Sequence, residues 1–278
     1  MLRNFRKRHA LTIGATSVAL VVIGLKIGAH FLGWEVISLN PLFSGIVAAN
    51  VFLMGFLLSG VLNDFKESER IPGELASILE VFSDEGFFIY ERSKSAVALE
   101  YLSYTEGFAK SIHDWLYKKE RTGSLMDKLS DFNRFFLAFE PLTQVNYIVR
   151  LKQEQAALRR IIIRIHTIRE TSFISAGYLI AELTTMLLAI GLVFSKLDPW
   201  YESFFVVGVV MFLLSYLILL IRDLDNPFGY YESDSAEDVS LRPLEDCIAR
   251  ISRRVKRSRG NDVAKLPRVP DVLRPLTS

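Results

Sequence analysis

The chain has 278 residues, half of them hydrophobic without counting glycine, and a mean hydropathy of +0.27. Soluble domains carry about 45–50% apolar residues with glycine included. Here the apolar residues concentrate in four runs long enough to cross a bilayer, which excludes an ordinary soluble enzyme, as it does a disordered chain poor in large apolar residues. The net charge of +2 is uninformative as a total. The single cysteine, Cys247, rules out an intrachain disulfide framework and a multi-cysteine metal site. The four histidines, His9, His30, His113 and His166, show no ligand spacing.

A basic head, MLRNFRKRHA (1–10), precedes an apolar run from Leu11 to Phe31. The short loop GWEVISLNP leads to a second run, Leu42 to Leu62, so that 11–62 reads as a transmembrane hairpin. Each run meets the roughly 20 residues that a bilayer requires. Residues 63–171 hold no spanning run. A second hairpin, 172–221, contains runs from Phe173 to Phe194 and from Ser203 to Ile221, and 222–278 is a charged tail with prolines near its end.

Lys and Arg are placed asymmetrically. Four lie in the head, one in the two short loops, sixteen between the second and third runs, and eleven after the fourth. The positive-inside rule therefore puts both termini and the large middle region in the cytoplasm, in a plasma or inner membrane. The first run reads as a retained span, because its removal would leave three spans and split the positive segments between the two sides.

The middle region reads as helical: turn signals are sparse, and residues such as Leu75, Ile78, Leu79 and Phe82 recur at helix spacing. Gln144 to Phe194 lacks proline, and one continuous helix of that length would extend about 75 Å. Within it, LRRIIIRIHTIRE carries Arg159, Arg160, Arg164 and Arg169, expected at the headgroups as an anchor to membrane lipids. The run RISRRVKRSRG (250–260) is expected to be a solvated or lipid-facing tail rather than a nucleic-acid site.

Ionisable residues inside spans are functional candidates. Lys26 and His30 share one face of the first helix near its outer end. Lys26 is expected to snorkel outward, the alternative being a positive ring at an outer mouth. Glu182 lies about nine residues into the third run, near mid-depth at 1.5 Å per residue, where a carboxyl group needs a partner. Asn50, at similar depth, and Thr184 or Thr185 are the candidates, serving interhelical bonding or a proton or cation pathway. On the second run Ala48, Phe52 and Phe56 recur every four residues along one stripe, with Asn50 facing away. Such a stripe serves packing or lipid contact, or forms a hydrophobic gate.

The stretch FLMGFLLSGVLNDF (52–65) resembles the pore-lining second helix of bestrophins. RDLDNPFGYYESDSAED, after the fourth run, resembles that family's Asn-Pro-Phe-Gly turn and acidic cluster, and LRPLEDC (241–247) its Leu-Pro-Leu-Asp-x-x-Cys segment. The resemblance implies an all-α, oligomeric membrane protein with four transmembrane helices and a large helical cytoplasmic domain. It implies a homo-oligomer, pentameric in the family, that conducts an inorganic ion passively, an anion such as chloride ahead of a cation, which some bacterial members conduct. Carried over by position, the constriction falls on Ala48, Phe52 and Phe56. A calcium clasp, the one cofactor implied, falls on Asp225, Glu232, Asp234, Glu237 and Asp238, although Tyr230 and Tyr231 interrupt the family's acidic run. The Trp-Arg-Gly-Ser motif that the family carries before its first span is absent.

No phosphate loop, nucleophile elbow or zinc-helix motif occurs, so an enzyme is not expected. The alternative to a channel is a non-conducting scaffold or sensor whose cytoplasmic helices bind a partner. A secondary transporter would show an inverted repeat or broken helices, and neither is present in the sequence.

Overall fold

A computed structural model describes residues 2–38, 40–170, 175–196, 199–230 and 238–263. Among them are nine helices and one pair of short strands: α1 (Leu2–Phe31), β1 (Ile37–Ser38), α2 (Pro41–Ser68), α3 (Ile71–Ser93), α4 (Ala96–Leu116), α5 (Thr122–Phe139), α6 (Val145–Glu170), α7 (Ser175–Val193), β2 (Ser195–Lys196), α8 (Trp200–Leu224) and α9 (Arg242–Val263). Four helical segments are long and apolar enough to cross a membrane: His9–Phe31, the run Pro41–Ser93 that α2 opens, Ala176–Val193 and Trp200–Leu224. The all-α architecture with four candidate spans is the one expected.

α1 runs back through the basic head, because Arg and Lys are good helix formers and no proline or glycine interrupts them. The long helix expected from Gln144 is described as α6 and α7, with residues 171–174 outside the described set. The chain divides into two compact units, Met1–Ile71 with Arg164–Ser240, and Pro72–Ile163 with Leu241–Ser278.

In the first unit α1 lies along α8, and α2 packs on α7 and α8. One apolar cluster joins Ala19, Val22 and Ala29 of α1 to Leu192 and Val193 of α7 and to Val207 and Met211 of α8. A second joins Met54, Leu57 and Val61 of α2 to Ala181 of α7 and to Ile221 and Leu224 of α8. Small residues permit the close approach that helix association in lipid depends on. A Cβ on Gly208 would lie 3.0 Å from Ile23, and one on Gly191 would lie 2.8 Å from the Phe43 ring.

The ends of these helices follow from local chemistry. α1 closes in a Schellman motif: Gly33 adopts φ +67°, its N–H bonds the His30 carbonyl at 3.1 Å, and the Trp34 N–H bonds Ala29 at 2.9 Å. α2 opens on Asn40, whose side chain accepts from the Phe43 N–H at 2.9 Å, with Pro41 at the first helical position. Between them β1 pairs in parallel with β2, Ile37 opposite Ser195 and Ser38 opposite Lys196.

The second unit has an aromatic core of Phe82, Tyr101, Phe108, Phe132, Phe136 and Phe139, all buried. Phe82 meets Phe132 edge-on at 4.9 Å between centroids, and Tyr101 meets Phe139 at 5.1 Å, geometries that aromatic quadrupoles favour. Gly86 is required here, since a Cβ would lie 2.4 Å from the Tyr101 ring. The basic run 250–260 is not a loose tail. It belongs to α9, which buries Leu244, Cys247, Ile251, Val255 and Ser258 at helical spacing. Arg250 pairs with Glu80 and Arg254 with Asp84 on α3, while the Ser252 hydroxyl donates to Glu106 at 2.8 Å.

Candidate functional site

α2 has two distinct faces. Asn50, Met54, Leu57 and Val61 are buried, three or four residues apart as one helical stripe demands. About half a turn away, Ala48, Phe52 and Phe56 are exposed, Phe52 by 78% and Phe56 by 63%. No charged residue occurs between Leu42 and Asn63, and Gly45 and Gly55 have open space where a Cβ would stand. The expected stripe is therefore a continuous apolar surface that the unit's own helices leave uncovered.

Asn50 binds α7. Its amide donates to the Thr185 hydroxyl at 3.2 Å, and its carbonyl oxygen accepts from Thr184 at 2.8 Å. The sequence offers Asn50 and these threonines as partners of Glu182, whereas the structure bonds them to one another. Glu182 instead pairs with Arg222 in the last turn of α8. No local pattern links residues 182 and 222, so the sequence offered only the Arg itself as a signal.

Lys26 does not bring its ammonium to water, as snorkelling would require. Its side chain is 0% exposed; Nζ pairs with Glu35 Oε1 at 2.7 Å and donates to the Ser195 carbonyl. His30 Nδ1 lies 3.0 Å from Glu35 Oε2, and the His30 ring stacks over Trp200 at 6.2 Å between centroids. The Schellman turn at Gly33 is what folds Glu35 back under α1. Burial alone would raise the Glu35 carboxyl, but hydrogen bonds from Lys26 and His30 outweigh it and hold the group below its usual range. Glu35 and Ser195 went unrecognised in the sequence because neither is unusual at its own position.

At the opposite end, Asp64, Glu67, Arg164 and Asp225 line a cavity of about 270 Å³ with Val61, Thr167 and Leu224. Arg164 pairs with Glu67 at 2.6 Å, and in the second unit Arg159 donates to the Ser130 hydroxyl at 3.0 Å. These two arginines of the expected lipid anchor are thus engaged with the protein's own groups. Of the expected calcium ligands, Glu232, Asp234 and Glu237 lie outside the described residues. Asp225 follows α8 and Asp238 precedes α9. Among the described residues no group of three or more acidic, His or Cys side chains is arranged to hold a metal.

No family model matches the chain, and no curated protein matches it. Solved structures do. Crystal structures of a bacterial bestrophin homologue from Klebsiella pneumoniae superpose over 90% of this chain. Two mutant forms give TM-scores of 0.65 and 0.68 at 17% and 18% identity, covering 98% of their own length. A third, solved by zinc phasing, gives 0.63 at 18% identity and 97% of its length. The fold is therefore shared over nine-tenths of this chain and almost the whole length of those structures. The chain is an integral membrane protein with the bestrophin fold.

Proposed function

We propose that the chain is one subunit of a bestrophin-like ion channel, a homo-oligomer and specifically a pentamer, in which one α2 from each subunit lines a passive pore. The observation that carries this reading is the division of α2 into a buried face, bound to α7 and α8, and an uncovered apolar stripe of Ala48, Phe52 and Phe56. Arranged around an axis, rings of Phe52 and Phe56 form a constriction that controls passage by excluding water. Ala48, one turn nearer the α1–α2 connection, leaves a wider section. Because the stripe carries no charge, width and hydration rather than a charged ring govern entry.

Anion conduction, chloride foremost, is assigned by analogy of fold; Lys26 does not contribute, since Glu35 neutralises it. The asymmetry of Lys and Arg supports cytoplasmic termini and a cytoplasmic second unit. The test is the reversal potential of purified protein in a planar bilayer under a salt gradient, for the wild type and for F52A/F56A. Current reversing near the chloride potential, with conductance raised severalfold in the double variant, supports the proposal. Unchanged conductance removes these rings from the pore. Absence of wild-type current at several pH values, with and without calcium, favours the scaffold. A monomer or dimer by native mass cannot enclose a pore lined by one helix per subunit.

A further inference from the structure

The end of α1, the connection that follows it and the distant α7–α8 connection meet on one buried ammonium group. Lys26, on α1, is fully buried. It bonds Glu35 in the α1–α2 connection at 2.7 Å and the backbone carbonyl of Ser195 in the α7–α8 connection. The same two connections are joined by the β1–β2 pair and by the Ile37 N–H donating to the Phe194 carbonyl at 3.0 Å. Glu35 uses its second oxygen on His30, whose ring stacks on Trp200 at the start of α8. Only one residue separates β1 from Asn40, the cap of α2, so the chain has little slack before the helix begins. Phe43, in the first turn of α2, then seats against Gly191 of α7.

We propose that Lys26 and Glu35 are positioning residues for α2: their ion pair, completed by the Ser195 carbonyl, clamps the two connections together. The clamp sets the height and rotation at which α2 presents Phe52 and Phe56, and in that respect it rests on the pore reading above. An apolar contact would hold the same elements together but would tolerate sliding. A buried ammonium does not, because displacing it from its carboxylate leaves an uncompensated charge. Register of this kind is the best-attested use of a buried ion pair.

Three readouts separate the clamp from the pore. The clamp itself is read by disulfide formation in S38C/K196C, whose residues are ladder partners. The orientation of α2 is read by the modification rate of A48C with a charged, water-soluble thiol reagent. Conduction is read in bilayers. On each background, E35Q is expected to slow cross-linking roughly tenfold or more, since Lys26 is left buried without its counter-charge. It is also expected to change the A48C rate and the unitary conductance, while E35D, which keeps a carboxylate, recovers part of both. K26M/E35Q, with no charge left buried, is expected to be more stable than E35Q and still to cross-link more slowly than wild type. Wild-type cross-linking in both variants overturns the clamp. Slowed cross-linking with an unchanged A48C rate overturns its positioning role. A silent wild type refutes the pore alone, and the first two readouts still decide the clamp.

Discussion

Replacing Asn50 by Ala tests whether the two faces of α2 do different work. Asn50 is buried and makes two interhelical bonds, donating to Thr185 and accepting from Thr184. Bonds between spans average about 0.6 kcal/mol each. The Thr184 hydroxyl also lies 2.8 Å from the Ile180 carbonyl and 3.1 Å from that of Ala181, so it is not stranded when Asn50 is lost. The cost is therefore about 1 kcal/mol, and for a chain of this size that lowers the midpoint of thermal unfolding by about 2–4 °C. Conductance and ion preference should be unchanged, because Asn50 faces α7 and not the stripe of Phe52 and Phe56. The assay pairs thermal unfolding in detergent with single-channel recording of N50A beside F52A. A change in selectivity without loss of stability in N50A would refute the assignment of faces and place Asn50 in the ion path.

The Glu35 carboxyl is held below its usual range, so it contributes stability above the unfolded value of about 4.3 that is lost as pH falls through the lower folded value. Midpoints measured against pH should fall on the acid side for wild type and flatten in E35Q; parallel profiles would contradict the pairing. In the second unit, burial and then the neighbouring Glu80 carboxylate push the Cys247 thiol up to about 12. Native protein should resist maleimide at about pH 8 and label only on unfolding, whereas full labelling of folded protein would show that α9 does not dock as described.

Much of this protein was legible in its residues because the signals are local. Length and apolarity alone mark the four spans, since a bilayer imposes a fixed thickness. Spacing alone puts Phe52 and Phe56 on one stripe and Asn50 on another, since helical geometry fixes the angle between them. The helix ends at Gly33 and at Asn40-Pro41 are set by chemistry confined to one turn, although in the sequence alone these residues read only as a loop. The partners of charged groups were another matter. Lys26 finds Glu35 only because a Schellman turn reverses the chain, and Glu182 finds Arg222 only because α7 and α8 pack side by side. The basic run 250–260 looks like a solvated tail until Leu244, Cys247, Ile251 and Val255 are given a surface to bury against. Periodicity determines which face of a helix is apolar or charged. Which neighbour that face meets, and hence whether a charge is free or paired, is decided by contacts a few ångströms long between residues far apart in the chain.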